Sequence, residues 1–118
     1  MLPDSKVSQL IGNQITGMSS AMQLFSGRDK VSKVIHSFAD YTKKMIQLGR
    51  LDEVRRCFTM AAVLYHNGSM VVKNAIEGVY VYTLSPLLHT RQQHTNMKEL
   101  LPVTLLRIHR HHLRTSAI

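Results

Sequence analysis

The run RIHRHHLRT, residues 107–115, is the densest concentration of chemistry-bearing side chains in this 118-residue chain. His109 and His112 stand three apart, so on a helix they share a face and could offer two imidazoles to one metal ion. A zinc centre wants three or four protein ligands, and the rest would have to come from His89, His94 or Glu99, because His111 points elsewhere. No HExxH spacing accompanies them. No specific metal site is expected, and no cofactor. Arg107, Arg110 and Arg114 follow at steps of three and four and form one basic ridge. A planar guanidinium donates in pairs and suits phosphate. A cation-rich last turn is also what the helix dipole favours. The ridge therefore reads first as solvated helix surface and second as an anion or nucleic-acid contact. No aromatic residue follows Tyr82, so base stacking at this end is not expected.

Lys73, Asn74 and Glu77 interrupt an otherwise apolar stretch. Lys73 and Glu77 are four apart and can pair. The set reads as a tie to a loop or helix end, or as the polar floor of a groove. Tyr65 and His66 are neighbours, so on a helix they diverge by about 100°. No carboxylate is placed by sequence to orient the imidazole for base catalysis. Ser26-Gly27 and Gly68-Ser69 lack the nucleophile-elbow pattern, and no Gly-rich phosphate loop occurs. Cys57 is the one cysteine. It excludes an internal disulfide and any zinc site built on two thiolates, and reads as a small buried apolar residue. With no catalytic constellation, an enzyme is not expected.

These residues need elements to hold them. The length suits one domain, residues 1–118, with a real core. The composition, 44% hydrophobic and 19% charged, is that of a globular chain. The opening MLPDSKVSQL has no apolar stretch behind a basic one, and no apolar run nears the ~20 residues that span a bilayer. The expectation is a cytoplasmic protein without a membrane segment. The net charge of +8 admits acidic partners. From Arg91 onward five basic residues face one acid, so a net +4 sits in the last 28 residues.

Apolar residues at 7, 11, 15, 18, 22 and 25 predict a first helix, broken near Gly12 or Gly17. Ser26 to Asp29 reads as a turn, with Asp29 capping the next helix. Val31, Val34, Ile35, Phe38, Tyr41, Met45 and Ile46 stripe a second helix that Gly49 would end. Val54, Cys57, Phe58, Ala61, Leu64 and Tyr65 stripe a third, which Asn67-Gly68 would stop through positive φ. Residues 30–67 thus form a helical hairpin. The segment 69–88 is ambiguous, because VYVYTL has strand propensity. Its helical register is coherent (Val72, Ala75, Ile76, Val79, Tyr80, Thr83, Leu84, Leu87), and a lone strand would lack a partner. Helix is expected, capped by Ser69 and ended or kinked at Pro86. Asn96 and Glu99 resemble a capping box, and Leu101, Leu105, Ile108 and His112 stripe a last helix.

Residues 35–65 resemble one tetratricopeptide unit. GRLDEVRRCFTMAAVLY is similar to its second helix, with Val54, Phe58 and Ala61 at the small, aromatic and small packing positions, and Phe38 and Tyr41 as the large residues of the first helix. The pattern does not restart after residue 69, so the resemblance implies one repeat-like hairpin, not an array. FTMAAVLYHNG, VVKNAIEGVYVYTLSPLL and ELLPVTLL, within residues 58–106, resemble a family of small bacterial helical proteins of unknown function. That resemblance implies helix for VYVYTL and carries no ligand or catalytic residue.

The reading is an all-α domain of about five helices packed as antiparallel hairpins. Its core should include Val34, Phe38, Ile46, Val54, Phe58, Ala61, Leu64, Val72, Ile76, Leu84, Leu101 and Leu105. The expected function is a non-enzymatic protein-interaction module, binding a protein partner or a second copy of itself. Its motives are the hairpins and seven methionines, which suit adaptable surfaces when exposed. The alternative is a basic nucleic-acid-binding protein using the last helix; no zinc-finger or RNP motif appears, and helical hairpins leave a helix-turn-helix open.

Overall fold

Helix covers most of the segments whose three-and-four spacing predicts it, and the departures lie at Ile15, at Pro86, at Leu101 before Pro102 and at one widened turn. The computed structural model describes residues 2–25, 29–92 and 95–116. The predicted turn at Ser26-Gly27-Arg28, the residue His94, and the side chains of Gln92 and residues 112–116 (His112, Leu113 and Arg114 among them) lie outside the described set. Six helices occur among the described residues. They are α1 (Val7–Gln14), α2 (Ser19–Gln23), α3 (Val31–Gln47), α4 (Leu51–Asn67), α5 (70–84) and α6 (Val103–Ser116). The sixth arises because the first predicted helix breaks at Ile15, whose φ of −119° and ψ of 98° are extended. The break keeps Val7, Ile11, Ile15, Met18 and Met22 all buried. It also folds α2 back, so that a Cβ on Gly12 would lie 3.1 Å from the Met22 Cβ.

The α3–α4 hairpin turns at Gly49, whose φ of 71° is the left-handed value that glycine adopts without strain. The cap of α3 is Lys30, not Asp29, and it makes no side-chain cap bond. On α3 the buried stripe includes Thr42, while Tyr41 is only half-buried. At the far end of α4, Asn67-Gly68 does stop the helix, but by a different cause than expected. Gly68 has φ −85° and ψ 168°, open to any residue. What requires glycine there is space: a Cβ would lie 2.6 Å from both the Leu64 carbonyl oxygen and the Val72 Cβ. Gly68→Ala should therefore destabilise by about 1–3 kcal/mol. Gly78, inside α5, has nothing within 4 Å of its Cβ position, so Gly78→Ala should stabilise by about 0.5–1 kcal/mol. Urea unfolding of the two variants checks the pair; equal effects would contradict this packing.

Ser69 caps α5, accepting from the Val72 amide at 3.4 Å. Its hydroxyl also donates to Asp4 at 2.6 Å, and the Leu2 amide donates to the Asn67 carbonyl at 2.7 Å. The N-terminal segment is thereby pinned to the α4–α5 junction. VYVYTL is helical: α5 runs Met70–Ala75, a π-helical turn over Ile76–Val81, then Tyr82–Leu84. The wide turn corrects the predicted register. Ile76, Tyr80, Leu84 and Leu88 are buried at successive steps of four, with Val81 beside them, while Val79, Thr83 and Leu87 are only half-buried. An unbroken α-helix would rotate such a series off the core. The helix ends at Leu84 and passes into a 3₁₀ turn, Ser85–Leu87, around Pro86.

The polar connector folds into a small hairpin, β1 (Arg91–Gln92) against β2 (Thr95–Asn96), antiparallel with Arg91 opposite Asn96. Asn96 caps as expected, accepting from the Lys98 amide at 3.1 Å. What it caps is a 3₁₀ turn, Met97–Leu100, and not the last helix. The carbonyl of Pro102 accepts the first bond of α6, from Leu106 at 3.0 Å. Of the expected core residues, all are buried except Leu101, which packs half-buried against the cluster. The radius of gyration, 13.6 Å, is the ~13.5 Å of one compact domain of this length.

Candidate interaction groove

The predicted site residues that are described do not converge, and Arg114, like His94 and His112, lies outside the described set. Lys73 donates to the Tyr65 carbonyl at 2.9 Å, and its ammonium lies 5.2 Å from the centre of the Tyr65 ring. The Tyr65 hydroxyl donates to Glu77 at 2.8 Å. That bond, with burial second, raises the Tyr65 pKa. Lys73 and Glu77 therefore clasp Tyr65 and tie α5 to α4, while Asn74 turns away, exposed. Asn74 lines a separate groove of about 630 Å³ with Val71 and Val79. Asp4, Asp29 and Lys30 share that rim, so it has no single charge preference.

On α6, Arg107 and Arg110 are exposed, and Leu105 and Ile108 are buried. The last helix is thus a packing helix with a basic outer face. His109, read as a candidate ligand, is fully buried. Its Nδ1 lies 3.2 Å from the Ser85 hydroxyl, and its ring centre lies 5.5 Å from that of His89. His66, beside Tyr65, bonds Thr104 at 2.8 Å and ties α4 to α6. Among the described residues, no three of His, Cys, Asp and Glu are placed to hold a metal ion.

A polar knot lies within the core. Thr42 donates to the Phe38 carbonyl at 3.0 Å. Its one hydroxyl proton is thus committed, so the Tyr80 hydroxyl, 2.9 Å away, donates to it. The Tyr80 ring stacks on Phe38 with centroids 4.7 Å apart. Burial lifts the Tyr80 phenol well above its usual range. Burial likewise pushes the neighbouring Cys57 thiol up to about 12. Both groups are neutral and packed, which is the chemistry of a core and not of a nucleophile.

The feature that sequence reading missed is a groove of about 470 Å³ between α1 and α4. Its floor is apolar: Ile15 and Met60 are buried, Leu10 is half-buried, and Val63 is 38% exposed. Arg55 and Arg56 stand at one end. Arg55 reaches the exposed Asp52 only at 3.9 Å and Arg56 the half-buried Glu53 at 3.6 Å, and i, i+3 pairs along one helix contribute a few tenths of a kcal/mol. The guanidiniums can therefore change partners at little cost. A signal was present in the sequence, since Arg56, Met60 and Val63 make a second strip on α4, one position from the main core stripe. Among the described methionines, Met60 alone lines it. Met18, Met22, Met45, Met60 and Met97 are buried, and Met70 is exposed, so methionine richness describes the core.

Among the described residues no helix is long and apolar enough to cross a membrane. The profile of a domain of unknown function, DUF7674, matches residues 8–115. No curated protein and no solved structure gives a significant match.

Proposed function

The chain belongs to the DUF7674 family of domains of unknown function, and from its geometry we propose that it is a non-enzymatic protein-interaction module that binds through the α1–α4 groove. The observation that carries this reading is the groove itself: an apolar floor between two helices, open along its length, with two exposed arginines at one end. Helical scaffolds bind partner helices in such clefts. The repeat-like character of the α3–α4 hairpin, and cytoplasmic location, belong to the same proposal.

A photo-cross-linking amino acid at position 63 tests it in cells. Val63→benzoylphenylalanine should give a discrete protein adduct. The same group at Tyr82, exposed on α5 away from the groove, should not. Equal adducts from both positions, or none from 63, would count against the groove.

Nucleic-acid contact through α6 is a second reading, supported by the exposure of Arg107 and Arg110 on one helix. It requires a mobility-shift complex that weakens as salt rises, and absence of a complex at low salt removes it.

A further inference from the structure

We infer that the natural occupant of the α1–α4 groove is an acidic amphipathic helix of a partner protein. This rests on the interaction reading and adds the chemistry of the partner. The groove walls are two helices, and the lining on α4 runs from Arg55 to Val63. Eight steps of 1.5 Å give about 12 Å, or two helical turns. An occupant helix of that length would set apolar residues at i, i+3 or i+4, and i+7 on Leu10, Ile15, Met60 and Val63. Its flanking side chains then meet Arg55 and Arg56. Arginine presents a planar fork that carboxylates satisfy in pairs.

Charge decides between occupants. The chain carries +8, so a second copy would bring like charge to the arginine end. A basic or neutral helix would leave both guanidiniums facing nothing better than Asp52 and Glu53 at 3.6–3.9 Å. An acidic helix gains contacts there and is drawn in by the overall field.

The test is selection of random 16-residue peptides, displayed on phage, against the full-length chain. Binding of the enriched peptides is then measured by fluorescence anisotropy at low and moderate salt. Acidic peptides with apolar residues at helical spacing should dominate. Their affinity should fall at least about tenfold with Arg55→Glu/Arg56→Glu, and should weaken with salt. Arg55→Gln/Arg56→Gln, which adds no repulsion toward Asp52 and Glu53, should fall in the same direction. Arg107→Glu/Arg110→Glu, which carries the same change of net charge outside the groove, should weaken binding far less than Arg55→Glu/Arg56→Glu. Circular dichroism confirms that each variant is folded. Enrichment of basic or uncharged peptides that ignore both Arg55 and Arg56 variants would overturn this occupant and leave the interaction reading standing. Self-association abolished by Val63→Asp, with no acidic peptide selected, would overturn it in favour of a second copy. Failure to enrich any peptide, with no self-association, would overturn both.

Discussion

Tyr80→Ala should cost about 3–5 kcal/mol, a large fraction of the about 5–15 kcal/mol that holds a native domain together. Tyr80 is fully buried on the widened turn of α5, stacked on Phe38 of α3, and its hydroxyl completes the knot at Thr42. Truncation leaves a cavity among Phe38, Thr42 and Cys57. Tyr80→Phe keeps the ring and removes one hydrogen bond, while Thr42 still donates to the Phe38 carbonyl, so it should cost about 1 kcal/mol. Guanidinium unfolding reads both. A cost under about 1 kcal/mol for the alanine variant would mean that the core is not built on this residue, and that the π turn has no packing purpose.

The protein should also lose stability steeply in alkali. The Cys57 thiol, ordinarily near 9.0, is held up to about 12 in the fold, chiefly by burial. Below pH 9 both folded and unfolded chains keep the proton, and the fold's preference for the neutral thiol is fully present. Between pH 9 and 12 the unfolded chain releases a proton that the folded chain retains. Stability then falls by up to about 1.4 kcal/mol per pH unit from this one group. Tyr80, also held neutral by burial, adds the same sign above pH 10. Tyr41 is raised to about 12, by burial and then by Glu53, and adds less because it is only half-buried. Unfolding midpoints from pH 8 to 11 should drop continuously, and Cys57→Ala should flatten the first part of the profile. A midpoint constant over that range would contradict the buried, neutral state of these groups. Over the same lower range Cys57 should resist thiol reagents in the native protein, since neither access nor thiolate is available.

How much of this was legible in the sequence follows from the physics of each part. Helix positions and the α3–α4 hairpin depend on apolar spacing and a turn glycine, both local, and Val34, Phe38, Phe58, Leu64, Val72 and Leu105 were readable as core. The π turn was not, because an α-periodic template fits Val79 and Leu87 as well as Val81 and Leu88, and only packing against α3 selects the second set. Thr42 and His109 look like surface residues by type. Their burial rests on distant partners, Tyr80 and Ser85, that no local pattern reveals. Gly68 was read correctly as a stop but for the wrong reason, since a steric requirement set by Leu64 and Val72 exists only after α5 docks. The groove was hidden in the same way: α1 and α4 are 41 residues apart, counting from Gln14 to Arg55, and their facing strips become one surface only in the fold. Of the residues that stood out by chemistry, Lys73 with Glu77, His66 and His109 serve instead to fasten helices.

The central claim is that recognition occurs between α1 and α4. The most direct measurement is a ¹H–¹⁵N correlation spectrum of the labelled chain, titrated with an enriched acidic peptide. Amide signals of Gln14, Arg55, Arg56, Thr59 and Val63 should move together and saturate, while those of Arg107 and Arg110 stay in place. Movement confined to α6, with the α1–α4 signals unchanged, would contradict the account and make the basic ridge the binding surface.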